Sequence, residues 1–310
     1  MTRFITDAEV AARLDAPTAV ATMRAALLAA DQGRLVAPPR TSAPLHGGRL
    51  VLTVGHLRGE WYGYRSYDTL DRPDGEQVVV LHDADTGRVR AVAVGEEIGS
   101  RRTGALGGVA VQALARPDAA TVGVVGAGRQ AWTQLWAIAA VRSLREVRVF
   151  SRTPARREKF VARVRSELGI TARSVADSAS AVRDRDVVVV ATTSPSPVLT
   201  AADLSPGCHV NLVGYKQVGR AEFGVDLLER ADLLVTDSPA QAAAYDPPML
   251  AAVEPYLGRL RALGAVLAGR EPGRTTPEQV TVFCSVGLAG SEVFLLDRLT
   301  RQGPERDWFG

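Results

Sequence analysis

Apolar residues recur along this chain at two different periods. Near the start the spacing is helical: a capping box at Thr6, Asp7, Ala8 and Glu9 opens a first helix, and Asp15 with Pro17 opens a second that the pattern carries to Gly33. Between 50 and 94 the pattern shortens to apolar runs at 50–54, 78–81 and 89–94, the last two joined by a turn at 83–87, and a mostly antiparallel sheet is expected. After Gly95 a helix through Arg102 to Ala115 ends at Arg116, Pro117 and Asp118. Short apolar runs at 122–125, 147–150, 187–191, 209–213 and 233–236 then alternate with helical segments, which predicts a parallel, doubly wound sheet. A last run at 280–287 leads into a closing helix over 291–301. The fold class is therefore α/β, with a Rossmann-type domain after an α+β region.

Composition narrows the function classes. A chain of 310 residues, 46% hydrophobic, is long enough for two domains with well-packed cores. The net charge of +3 and the absence of a basic run argue against nucleic acid as a partner. No apolar run approaches the ~20 residues that span a bilayer, and the start of the chain lacks a signal-peptide core, so no membrane association and a cytoplasmic location are expected. Cys208 and Cys284 sit in apolar strand contexts outside any metal-binding spacing, so they read as buried thiols and no metal is expected. Positive charge is carried almost wholly by arginine, with Lys159 and Lys216 the only lysines.

The most specific local chemistry lies where the run at 122–125 enters a glycine turn and then a helix. Gly126 permits the tight turn, Ala127 follows, and Gly128 lets the backbone approach a diphosphate, while the helix beginning at Arg129 and Gln130 presents free N–H groups and the positive end of its dipole. Ala131 replaces the third glycine of the usual fingerprint and still permits close helix–strand packing. The next strand ends at Ser151 and Arg152, where an NAD-specific protein carries an acid. Ser151 and Arg152, with Arg156 or Arg157 one turn on, suit a ribose 2′-phosphate, so NADP(H) is preferred and NAD(H) is the alternative. Ligands bind such sheets beyond the carboxyl ends of the strands, which brings in Thr192 after the fourth strand and Val213, Gly214, Tyr215 and Lys216 after the fifth.

With these pieces placed, the chain resembles the ornithine cyclodeaminase and mu-crystallin family over essentially its whole length. The match is carried by Arg40 after a double proline, by Gly63, Tyr64 and Arg65, by Asp85 to Gly87, by Arg102 and Thr103, by the glycine turn at 126–131, and by the segments 209–214 and 282–287. The resemblance implies a homodimer, with a substrate and dimerisation domain formed by 1–116 together with 288–310 and an NAD(P)-binding domain over 117–287 between them. It also implies that Arg40, Arg65 and Arg102 surround the carboxylate of a small substrate and that Thr103 belongs to the cofactor site. Guanidinium groups bind a carboxylate bidentately and can hold an α-carbon against the nicotinamide.

Two departures from the family matter. The family lysine, which donates a proton or anchors substrate, is here Arg65, whose guanidinium holds its proton too tightly for ordinary acid catalysis. The acids that handle the amine in ornithine cyclodeaminases fall on Lys216 and near Val51, which disfavours ring closure of a cationic diamino acid. Lys216 offers a replacement acid or base, or a partner for a second anionic group on the substrate, and Tyr64, Tyr67, Tyr215, His46 and His56 are secondary candidates. The expected activity is NADP(H)-dependent hydride transfer at the α-carbon of an amino, imino or keto acid. The alternatives are an ammonia lyase of the cyclodeaminase type and a binding protein that retains nucleotide and ligand but turns over little.

Overall fold

A computed structural model describes residues 2–70, 72 and 75–301 and divides the chain into two compact units, 1–102 with 288–310 and 103–287. In the first unit β1 (Arg3–Thr6) leads into α1 (Asp7–Arg13) and α2 (Ala16–Asp31). There follow β2 (Leu35–Val36), β3 (Thr41–Leu45), β4 (Gly48–Leu57), β5 (Trp61–Asp68), β6 (Val78–Asp83), β7 (Val89–Val94) and α3 (Glu97–Leu114). The sheet runs β1-β7-β6-β5-β4-β2 with β3 also on β4, and it is antiparallel apart from β1, which lies parallel to β7. Its strands alternate: along β4, Val51, Thr53, Gly55 and Leu57 point away from Leu50, Leu52, Val54 and His56. The C-terminal helix, Ser291–Arg301, buries Val293, Leu295, Leu296 and Leu299 and packs on α2, β5 and β6.

The capping box predicted at Thr6 is present, and Asp15 caps α2 as expected. Helix α3 begins just after Gly95, as the sequence pattern indicates. Its first N–H groups are satisfied by a distant residue, since the Asp7 carboxylate accepts from Glu96 N and Glu97 N. The division between units falls inside α3, before the end of the helix at which 116/117 was expected to be the boundary. Within the second unit the later turns of α3 are tied to their neighbours by hydrogen bonds, Gln134 Nε2 donating to Thr103 O and the buried Asn211 Nδ2 to Gly107 O.

The second unit is doubly wound around eight parallel strands. In chain order it contains β8 (Thr121–Val125), α4 (Arg129–Ala139), β9 (Glu146–Phe150), α5 (Pro154–Arg163), β10 (Thr171–Ser174), α6 (Ser178–Val182), β11 (Val187–Val190) and β12 (His209–Leu212). A small hairpin, β13 (Lys216–Gln217) and β14 (Arg220–Ala221), precedes α7 (Val225–Arg230), β15 (Leu233–Thr236), α8 (Pro239–Ala243), β16 (Leu260–Ala262), α9 (Leu263–Leu267) and β17 (Thr281–Cys284). The order β10-β9-β8-β11-β12-β17-β15-β16 reverses direction between β8 and β11, the topological switch point where such sheets take ligands. The central strands are valine-rich and buried on both faces, as parallel sheets covered by helices require. Among the described residues no helix is long and apolar enough to cross a membrane.

Candidate active site

Strand β5 sets up the first half of the site by alternation: Trp61, Gly63 and Arg65 are buried on one face, and Tyr67 continues that face. Arg65 is only 7% exposed, and all three of its nitrogens are engaged. Nε and Nη2 donate to Gln77 Oε1 at 2.9 and 2.6 Å, and Nη1 donates to Glu292 Oε1 at 2.8 Å. Room for this bulky group comes from Gly99 on α3, where a Cβ would stand 2.8 Å from Gln77 Oε1 and 3.2 Å from Arg65 Nη2. Arg102 Nε donates to the same Glu292 oxygen at 2.6 Å. Its terminal pair, Nη1 and Nη2, makes no hydrogen bond to the described residues, so a planar two-pronged donor remains for a ligand.

Arg40 joins the same constellation through Tyr67. Its Nη1 donates to the phenol oxygen at 3.3 Å, and the Arg65 guanidinium carbon lies 4.1 Å from the Tyr67 ring centroid. The three arginines expected from sequence are thus brought together, linked by two residues on which the expectation did not rest, Tyr67 and Glu292. Glu292 lies in the first turn of the C-terminal helix, where an acid is already favoured by the helix dipole, so nothing local marked it. Burial alone would push its carboxyl up, but Arg102 and Arg65 outweigh this and hold it down at about 2. Burial lowers Arg65 and the charge of Glu292 opposes that shift. His46 and His56 do not join the cluster and are exposed, Tyr64 faces away with its ring tilted beside His82, and Val51 is buried.

In the second unit the glycine turn fits a dinucleotide. Gly126 adopts φ +115, and a side chain there would run into the Ala191 carbonyl. Gly128 caps α4 without a side-chain bond, and nothing lies within 4 Å of the place its Cβ would occupy, which leaves open the space a diphosphate needs. Gln130 has a buried, unpartnered side-chain oxygen beside this helix start, where either end of its amide can serve a ligand. Ala127 is half-buried and packs with the core. After β9, Arg152 and Arg156 are exposed, while Arg157 leans back with Nη1 3.4 Å from Ser151 O. At the start of α5, Pro154 has no N–H and the N–H groups of Arg156 and Arg157 donate to Thr153 O at 3.1 and 3.3 Å, so Thr153 caps the helix through its backbone. These residues fit a nicotinamide dinucleotide.

At the carboxyl ends of β11 and β12 a buried acid does the joining. Glu222 accepts from Thr192 N at 2.8 Å, Thr192 Oγ1 at 2.9 Å and Gly214 N at 2.6 Å. Burial raises its carboxyl, opposed by these bonds and by Lys216. Thr192 and Gly214 therefore have their N–H groups committed inside the protein, and either would meet a ligand by carbonyl or apolar contact. Lys216 is buried, and its Nζ donates to Val213 O at 3.0 Å and Gly214 O at 2.5 Å, an arrangement that holds the loop after β12. Both cysteines are buried free thiols, and burial pushes each up to about 12.

Beneath the site, β12 carries a buried polar chain. His209 Nδ1 meets Thr281 Oγ1 at 2.8 Å and Nε2 meets Asn211 Oδ1 at 2.9 Å, and Asn211 Nδ2 donates to Gln134 Oε1 at 2.9 Å. Burial lowers His209 from 6.5 to about 3, so the folded protein keeps it neutral while the unfolded chain protonates it first. Stability is therefore expected to fall as pH drops below about 6.5, by up to about 1.4 kcal/mol per pH unit for this group. Denaturation midpoints measured between about pH 7 and pH 4 test this, with His209→Asn predicted to show a shallower loss. Equal slopes in the two proteins would count against it.

Residues 1–299 match the model of the ornithine cyclodeaminase/mu-crystallin family. The chain is 32% identical over 234 residues to a Δ1-pyrroline-2-carboxylate reductase of Bacillus cereus, covering 73% of this chain and 72% of that protein. Its fold is similar to that of the Δ1-pyrroline-2-carboxylate reductase of Thermococcus litoralis solved with NADH and L-proline, with a TM-score of 0.89, 26% identity and 96% of each chain covered. It is also similar to an archaeal alanine dehydrogenase dimer with bound NAD, with a TM-score of 0.87, 27% identity and coverage of 97% of this chain and 95% of that one. Fold, motifs and relatives agree: this chain belongs to the ornithine cyclodeaminase/mu-crystallin family.

Proposed function

We propose that this chain is an NADP(H)-dependent oxidoreductase acting at the α-carbon of a small amino, imino or keto acid, as an imine reductase or an amino-acid dehydrogenase. Its relatives are named as Δ1-pyrroline-2-carboxylate reductases, one solved with NADH and L-proline, and an alanine dehydrogenase solved with NAD, which supports a nicotinamide-dependent reaction on a small amino or imino acid. The observation that carries the substrate class is the open two-pronged donor of Arg102, fixed beside Arg65 by a shared buried carboxylate. It suits an α-carboxylate. Arg40 adds a third positive charge through Tyr67, and Arg65 contributes charge and rigidity, since its nitrogens are already bonded within the unit.

The nucleotide would be held by Gly126, Ala127, Gly128, Arg129 and Gln130 at the diphosphate, by Ser151, Arg152 and Arg156 at the adenosine ribose, and by Thr103, Thr192, Val213 and Gly214 elsewhere. When bound it supplies or accepts hydride. Lys216 serves by fixing the Val213 and Gly214 carbonyls, which is more economical of its geometry than proton exchange. Cyclodeamination is disfavoured because, by the family resemblance, the acids that handle the amine in ornithine cyclodeaminases fall on Lys216 and near Val51. The chain works as a homodimer. The outward row Leu50, Leu52, Val54 and Tyr62, with Leu50 43% and Val54 40% exposed, offers a second copy an apolar sheet face.

NADPH absorbance followed with a panel of cyclic α-imino acids, and of α-keto acids with ammonia, tests the proposal. Oxidation with at least one member is expected. Tight NADPH binding without oxidation by any member would instead favour a crystallin-like binder, the reading to which the fully bonded Arg65 lends weight. For the nucleotide, Ser151→Asp should weaken NADPH binding by about tenfold or more and spare NADH, because it places a negative charge against the 2′-phosphate. Fluorescence titrations with both nucleotides check this, and equal effects on the two would remove Ser151 from the 2′ site.

A further inference from the structure

We infer that Tyr67 is the proton donor of the reaction, taking the part that a lysine at position 65 would have had; the inference rests on the substrate class proposed above. Arg65 cannot serve, because a guanidinium gives up its proton too reluctantly and all three nitrogens are held by Gln77 and Glu292. Tyr67 lies two residues further along β5 on the same face. Arg40 donates to its oxygen, so the phenol accepts there and its own proton is left to be given elsewhere. The Arg65 guanidinium lies over the ring face. Positive charge therefore stands both at the oxygen and at the ring, which stabilises a phenolate as it forms.

The other candidate donors are placed differently. Tyr64 projects to the opposite face of β5, toward His82. The ring of Tyr215 lies under Arg220, 3.7 Å from the guanidinium carbon. Lys216 spends its ammonium on the Val213 and Gly214 carbonyls.

The step balances without a further reagent beyond the reduced nicotinamide. The α-carbon gains hydride with its electron pair, the C=N π pair moves to nitrogen, and nitrogen takes the Tyr67 proton as the O–H bond breaks. The tyrosinate is then reprotonated by water, for which its half-buried position gives access. In the oxidative direction the same phenolate receives the proton.

The test uses the imino acid that the wild-type protein reduces fastest in the panel, and the amino acid it yields. Tyr67→Phe keeps the ring under Arg65 and removes only the hydroxyl. Its kcat is expected to fall on the order of 100-fold or more, while KM and the calorimetric affinity for the product amino acid stay close to wild type. An unchanged kcat overturns the inference. So does a loss of product affinity in step with kcat, which would make Tyr67 a substrate-binding support. Absence of wild-type turnover across the whole panel is a separate result that overturns the proposed activity itself.

Discussion

Replacement of Glu292 by leucine is expected to destabilise the first unit by about 3–5 kcal/mol, the cost of leaving buried charges without their partner. Glu292 is 1% exposed, and its Oε1 takes bonds from both Arg65 and Arg102. Without it, two guanidinium groups face each other in a site with little water to screen them. Glu292→Gln should cost less, because an amide oxygen still accepts. The pH dependence follows the carboxyl: held at about 2 in the folded protein against 4.5 in the unfolded chain, it contributes stability that is present above about 4.5 and lost as pH falls toward 2. Denaturant midpoints of the wild type and both variants measure these differences. A loss below about 1 kcal/mol for the leucine variant would mean that solvent screens the pair as it screens surface bridges.

Arg102→Lys is expected to lower kcat/KM by about 100-fold while leaving NADPH affinity unchanged. Truncating or mismatching one partner of a desolvated charge pair costs about 2–5 kcal/mol, and each 1.4 kcal/mol is about tenfold. Lysine keeps the positive charge that Glu292 requires, so the fold should persist, but it cannot present the two parallel N–H donors that Arg102 keeps open. The loss should appear in KM and in product affinity measured by calorimetry. A variant with wild-type KM would show that the carboxylate is bound elsewhere.

Much of the fold was legible because its signals are local. The buried valines of β11 and the glycine turn after β8 announce a parallel nucleotide-binding sheet, and the closing helix over Ser291–Arg301 stands where its periodicity predicts. What was missed depends on partners far away in sequence. The helix after Gly95 stands where it was expected, but the residue that caps its start, Asp7, comes from 90 residues earlier and no local pattern pointed to it. The edge strands β10 and β16 are short and carry weak patterns, with β10 reading Thr171, Ala172, Arg173 and Ser174 and β16 only Leu260, Arg261 and Ala262.

The site shows the same division. Arg40, Arg65 and Arg102 were recoverable from motifs. Gln77, Glu292 and Glu222 were not, since each is an ordinary polar residue until the fold places it against a buried partner. The replacement of lysine by Arg65 also acquires a physical context only in three dimensions. The larger group is accommodated by the missing side chain of Gly99 and paired by Gln77, so position 65 is packed and bonded for arginine.

The account stands on the arginine cluster of the first unit being a carboxylate site. A crystal structure with NADP+ and the product amino acid bound is its most direct test. The carboxylate should lie against Nη1 and Nη2 of Arg102, with Arg65 still held by Gln77 and Glu292. A carboxylate seated away from Arg102, with the terminal nitrogens of that side chain in contact only with solvent, would contradict it.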